Sequence, residues 1–378
     1  MIQTLYRTAS YLTEPVCYAH ACFRHLQLIK YKWGTVDKVN SLVYGAFFAV
    51  RFVVSAALSV VATAPGALCR RAAMALQKQP FLVHKEEGEG KRLSEGRAFS
   101  VFSWNICCVS GGYAISDGGV REWPARINRI IDRICETDAD VNCLYEVFDW
   151  EAMVLLRDRL KERGYPHIYY NIGPKAVGVS SGIFMASKYA VSSAEFTPFP
   201  KSMLVGRTKR CEKGVFRFDL QSEGEVFATL FATHLQHSQV SARPEVQDVR
   251  ARSEEMQFIL EKVDQIRERA VLVLGDLNMS LEEFQGACWA HRFVNAGAQR
   301  ARTWKGDGFC ARFMGQEVSG PLVLDYVLLV NETTASVETH LVDARFDPEF
   351  LSNQALSDHE GLLTTIKLAA VAHRELVA

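Results

Sequence analysis

A series of polar residues stands at the ends of apolar runs: Asn105 in "WNI", Glu146 in "YEV", His234 in "THL", Asp276 and Asn278 in "GDLN", Asp325 in "LDY", and Asp358 and His359 in "SDH". Their types complement one another. A hard cation such as Mg2+ takes oxygen ligands and usually only one or two protein carboxylates, which Glu146 and an aspartate can supply. Phosphate oxygens are met by neutral donors such as Asn105, Asn278 and His234. An attacking water needs an imidazole held in one tautomer by a carboxylate, as His359 would be by Asp325 or Asp276. Together these are the parts of a metal-assisted hydrolysis of a phosphate ester.

Taken singly, each residue has a plainer explanation. Asp276, Asn278 and Ser280 precede "LEEFQ" and could cap a helix. A strand-end Glu or His is commonly solvated or satisfied, and "SDHE" before "GLLTTI" could be a turn. Lys213, just before "GVFRFDL", reads as an exposed strand-start lysine. Glu360 reads as a solvated neighbour of His359. It is the ordered recurrence of such words that favours function.

The elements that must hold these side chains follow from periodicity. "AFSVFSW", "VNCLYEV", "SGIFMAS", "GVFRFDL", "VFATLFATHL", "AVLVLGD", "LVLDYVLLV" and "GLLTTIKL" read as strands. Pro124 opens a helix with Ile127, Ile130, Ile131 and Ile134 on one face; further helices run from about Trp150 to Arg163 and through Met256, Ile259, Leu260, Val263 and Ile266. No repeat of solenoid period is present. The pattern predicts an α/β fold, two mixed and largely antiparallel sheets flanked by helices, over residues 98–378.

The first 83 residues differ. Between Leu42 and Cys69 the only charged side chain is Arg51, and Phe52 to Cys69 is uncharged, close to the roughly 20 residues that span a bilayer. Residues 1–41 mix aromatic and basic side chains as an interfacial segment does. Basic residues flank the run on both sides, so charge favours neither end for crossing. A shallow hairpin bending at Pro65–Gly66 and between Gly45 and Arg51 is expected, monotopic, with the domain on the cytosolic side. Residues 84–97, "HKEEGEGKRLSEGR", read as a charged linker.

Composition narrows the partners. The chain has 378 residues, 48% of them hydrophobic, enough for a sizeable core. Its 43 basic and 43 acidic residues cancel, which gives no support for the broad cationic surface that nucleic acid demands. The ten cysteines show neither a C-x-x-C pair nor zinc spacing and read as reduced thiols. Oligomeric state is not legible.

The words "WNI", "YEV", "THL", "GDLN", "DY" and "SDH", in that order, resemble the endonuclease/exonuclease/phosphatase superfamily over roughly residues 98–370. That resemblance implies a DNase I-like four-layer α/β sandwich. Between the motifs, "LYEVFDWEAMVLLRDRLKERGYPHIYYNIG", "SSGIFMAS" and "ALSDHEGL" resemble the neutral sphingomyelinases of the membrane-anchored animal type. This narrower resemblance implies Mg2+, with Mn2+ as a substitute, on Glu146 close to Asn105, with Asp358 as either a second metal contact or a hydrogen-bond support. It further implies His359 as base, assisted by Asp325 and Asp276, with Asn278, His234, Asn105 and Lys213 on the phosphate. Sphingomyelin in the membrane surface is then the expected partner. Another phospholipid phosphodiesterase or phosphatase, a nuclease of the same superfamily, and a catalytically dead tethered scaffold are the alternatives. Two departures stand out: Tyr145 replaces the usual Gln before the metal Glu, and Thr208 occupies the position where an Asp precedes the strand lysine.

Overall fold

The computed structural model describes residues 1–32, 38–86, 90–109, 122–238, 244–266, 269–295, 302–304, 322–330, 334–344 and 355–369. The end of the expected domain, 370–378, and most of the segment between "GDLN" and "LDY" lie outside the described residues.

Two sheets stack face to face. One has the order β1 (Leu82–Lys85), β4 (His167–Tyr170), β5 (Phe184–Ser187), β3 (Val141–Val147), β2 (Ala98–Cys108), β13 (Gly361–Leu368) and β12 (Thr334–Val342). The other has the order β10 (Phe293–Asn295), β11 (Asp325–Val330), β9 (Ala270–Asp276), β8 (Glu225–His234), β7 (Gly214–Ser222) and β6 (Ala190–Pro198). Val101, Cys143, Tyr145 and Met185 of the first meet Phe216, Leu230, Leu272 and Val327 of the second in a shared core. Outside the first sheet lie α3 (Trp123–Thr137) and α4 (Trp150–Glu162), whose Ile130, Ile134, Leu156 and Leu160 pack on Phe102, Trp104 and Leu144. Outside the second lies α5 (Val246–Val263), with Met256, Ile259 and Val263 against Phe231, Val271 and Leu328. The four α/β layers expected from the sequence are present.

Each sheet contains one parallel pair, β2–β3 and β8–β9, and the remaining pairs are antiparallel. A parallel pair needs a crossover, and α3 and α5 supply them. The C-terminal ends of both strands in each pair therefore share one edge. Antiparallel β11 and β13 begin at that edge: Asp325 faces Asp276, and Leu362 faces Ser103. Strand ends and strand starts thus deliver the polar words to one place.

At the N-terminus, α1 (Ile2–Lys32) and α2 (Lys38–Leu76) pack as an antiparallel hairpin. Tyr6 Oη donates to Gln77, while Phe23 and Phe52 lie 6.0 Å apart farther along. α2 is continuous helix through Gly45–Arg51 and Pro65, the places where bends are expected. At Gly66 a Cβ would meet Thr13 at 2.7 Å, so α1 packs closely against α2 just past the proline. Residues Leu42–Leu76 are long and apolar enough to cross a membrane, and they present Val53, Val60 and Val61 outward. Arg51 lies over the rings of Tyr18 and Phe47. The base of the hairpin is seated on the domain, where Tyr6 stacks on Trp150, Arg7 pairs with Glu151 at 3.0 Å, and Arg70 Nη1 donates to Gly178 O. Of the segment read as a linker, His84 and Lys85 belong to β1, and Lys91 pairs with Asp140 at 2.5 Å.

Candidate active site

His359 is buried, and its Nδ1 lies 2.7 Å from Asp325 Oδ2. Nε2 points towards Asp276, 3.7 Å from Oδ2. The backbone around the histidine is pinned: Ser357 Oγ accepts from His359 N and donates to Asn105 O at 2.6 Å, and Trp104 Nε1 donates to His359 O. Burial pushes the imidazole towards its neutral form, but Asp325, Asp276 and Asp358 outweigh it and hold its pKa well above the usual value.

Asp276 is the hub. It accepts from Asn105 Nδ2 at 3.0 Å and from Asn278 N at 3.0 Å, and its Oδ2 lies 3.6 Å from His234 Nε2. Gly275 brings it there at φ +149°, where an added Cβ would stand 1.8 Å from Thr233 O; only glycine permits β9 this approach to β8. Asp276 does not cap the helix that follows. Ser280 does, accepting from Glu283 N at the start of α6 (Leu281–Gly286).

Glu146 extends from the end of β3 with φ +59°, and Asn278 has φ +53°. Non-glycine residues held there carry strain that the surroundings must impose, a common feature of functional sites. Glu146 Oε1 lies 3.9 Å from His234 Nε2. Burial and then repulsion from Asp358 raise its pKa to about 7, with Asp276 adding to the effect. Donor atoms of Glu146, His234 and Asp276 lie within 4.8 Å of one another, as do those of Asp276, Asp325 and His359. Mutually repelling carboxylate oxygens gathered in a buried cleft suit a hard divalent cation, which relieves that repulsion.

Lys213 is buried, so the exposed strand-start reading fails. Its Nζ donates to Leu235 O at 3.2 Å, the carbonyl that also accepts from Asn278 Nδ2. His234 is buried with Nδ1 unbonded among the described residues, and burial with nearby Lys213 keeps it neutral. Glu360 is not solvated: it is 3% exposed and accepts from Ala344 N. Thr208 bonds to His237 Nδ1 rather than to Lys213, and Tyr145 Oη donates to Leu274 O across the sheets.

Three supports escaped the sequence reading. Thr303 Oγ1 accepts from the amides of Leu324 and Asp325. Ser357 joins the strand-start loop to β2, and Arg126 donates to the carbonyls of Ile106, Cys107 and Leu356. Arg126 lies four residues before Ile130, on the apolar face of α3, and a charge at that position was the available signal.

The sequence matches the Endonuclease/Exonuclease/phosphatase family over residues 102–359. The chain belongs to that family. Among solved structures it is similar to a beta toxin from Staphylococcus aureus with bound magnesium ions, at 18% identity and TM-score 0.59, over 72% of this chain and 99% of that one. Sphingomyelinase C from Streptomyces griseocarneus gives 18% identity and TM-score 0.56 over 72% and 99%. TDP2 from Caenorhabditis elegans gives 20% identity and TM-score 0.51 over 90% and 92%. At these identities the likeness is one of fold. No curated protein matches the sequence.

Proposed function

We propose that the protein is a Mg2+-dependent, phospholipase C-type phosphodiesterase that hydrolyses sphingomyelin to ceramide and phosphocholine at a membrane surface. The observation that carries this reading is the buried His359–Asp325 pair, 2.7 Å apart and facing Asp276, on a domain that seats an apolar helical hairpin. The hairpin joins the domain at Trp150 and Glu151, in the first turn of the helix that follows β3 and Glu146.

His359 Nε2 takes a proton from the attacking water, and Asp325 holds Nδ1–H so that Nε2 is the accepting nitrogen. Asp276, 3.7 Å from Nε2, positions the same water. Asn278, His234, Asn105 and Lys213 offer donors to the non-bridging phosphate oxygens. Glu146, with Asn105 and Asp358, would hold the Mg2+, which supplies Lewis-acid stabilisation of charge on the phosphoryl oxygens and the departing alkoxide. As water adds to phosphorus, the bond to the ceramide oxygen breaks and that oxygen takes a proton from solvent, balancing the one His359 received and later returns to solvent. A scaffold with a dead site would not be expected to retain this bonded set.

The test offers the full-length protein liposomes containing sphingomyelin and phosphatidylcholine, or single-stranded or duplex DNA, with Mg2+ or EDTA. Phosphocholine should be released from sphingomyelin, only with Mg2+, and His359→Ala should slow turnover by about 10²- to 10⁴-fold. Equal rates on both lipids, or preferential DNA cleavage, would remove the sphingomyelin assignment. For topology we propose a monotopic anchor facing the cytosol, supported by the free thiols of all nine described cysteines. Tags at Met1 and Ala378 should share one protease accessibility in sealed vesicles, and opposite protection would establish a spanning helix.

A further inference from the structure

We propose that Trp304 is the headgroup-reading residue of this site, its indole face receiving the quaternary ammonium of a choline phosphoester beside His359. The inference rests on the reading of the site as a phosphodiesterase and specifies what lies on the far side of the phosphate.

Backbone register carries the geometry. Trp304 forms an antiparallel bridge with His359, and the bond that defines it runs from Glu360 N to Thr303 O at 2.6 Å. The bond joins the flanking residues, so Trp304 and His359 are a non-hydrogen-bonded pair, the type in which facing side chains approach most closely and point to the same face. His359 directs its imidazole into the cleft; its cross-strand partner therefore stands against the same cleft. Trp304 is also only partly buried, whereas Trp104, Trp150 and Trp289 are at most 5% exposed.

The surroundings choose the ligand. Asp325 and Asp276 lie 2.7 and 3.7 Å from the ring nitrogens of His359, which gives the cleft beside Trp304 negative charge. Among the described residues, Trp304 N and O are both bonded to Leu322 and Glu360 N to Thr303, so these backbone groups are already engaged. A trimethylammonium needs no acceptor and is attracted to the face of an indole.

The test uses detergent-solubilised full-length protein with Mg2+. Calorimetric titration compares phosphocholine with 3,3-dimethylbutyl phosphate, its neutral isostere, for the parent, Trp304→Phe and Trp304→Leu. The parent should bind phosphocholine about 3- to 30-fold more tightly than the isostere, Trp304→Phe should keep part of that preference, and Trp304→Leu should lose it. In vesicle assays Trp304→Leu should raise KM for sphingomyelin by a similar factor with kcat nearly unchanged. Equal affinity of the parent for both ligands overturns the proposal, even if Trp304→Leu fails to fold. So does an equal loss for both ligands in Trp304→Leu, which would make the indole an apolar wall, or binding of AMP as tight as phosphocholine, which would make it a base-stacking platform. Phosphocholine binding without lipid hydrolysis would sink the proposed reaction and leave this subsite standing.

Discussion

Replacing Asp325 by Asn tests the base and its orienting carboxylate together. The substitution is nearly isosteric, and the Thr303 contact to the residue 325 amide uses backbone alone, so β11 should keep its register. At 2.7 Å, with an effective dielectric constant of about 20, the attraction between the carboxylate and an imidazolium is about 6 kcal/mol, worth roughly four decades of proton affinity. An Asn at that position can also rotate its NH2 towards Nδ1, placing the imidazole proton on Nε2 and blocking the nitrogen that should accept. Plateau kcat should fall by about 10²- to 10⁴-fold. The sign of the pH effect is distinctive. A base works when deprotonated, and in the parent the surrounding carboxylates hold His359 high, so activity is lost as pH falls through a raised pKa. Removing Asp325 lowers that pKa, and the acid limb of the much weaker variant should move to lower pH. The assay is sphingomyelin hydrolysis across pH at saturating Mg2+, beside a thermal melt to show an intact fold. An unchanged plateau, or an acid limb displaced upward, refutes the pairing.

Three further outcomes follow from named contacts. Glu146→Gln keeps shape but loses an anionic ligand, so half-maximal Mg2+ should rise at least about tenfold, and EDTA should silence the parent reversibly; an identical Mg2+ dependence would exclude Glu146 as a ligand. Gly275→Ala places a methyl 1.8 Å from Thr233 O and should cost more than about 3 kcal/mol, seen as a lowered melting temperature; an unshifted melt would contradict the described approach of β9 to β8. Glu255, buried beside Gln236 N, is pushed up to about 8 by burial. Its folded pKa exceeds its unfolded one, so the stability it contributes is full below the unfolded value and is lost as pH rises through about 8, at up to about 1.4 kcal/mol per pH unit. Glu255→Gln should therefore gain on the parent between pH 5 and 9 in thermal unfolding, and a constant difference would show that Glu255 does not titrate in that range.

Periodicity and strand-end chemistry made much of this protein legible. Ile127, Ile130, Ile131 and Ile134 marked the buried face of α3, and the apolar runs marked the strands, because the alternation of water and core is written at fixed spacing. The polar words were legible for the same reason: a charged or amide residue terminating an apolar strand stands out locally. Which carboxylate meets which nitrogen was not. Strand-end chemistry alone offered either Asp325 or Asp276 to His359, with Asp325 expected to orient the ring and Asp276 the water, and the antiparallel register of β11 on β9, with β13 starting alongside, gives Nδ1 to Asp325 and turns Nε2 towards Asp276. Burial of single polar residues was equally hidden. Lys213 and Glu360 look like surface groups in sequence, but one donates to the carbonyl after His234 and the other accepts from Ala344 N, both partners contributed from distant chain. Pro65 argued locally for an interruption, yet α2 continues as helix through it, with α1 packed closely at Gly66. The sequence by itself determined which segments become strands and helices and which residue types stand at their ends, since those depend on neighbours a few positions away. Register, tautomer and burial depend on pairs far apart in the chain, and only the tertiary structure decided them.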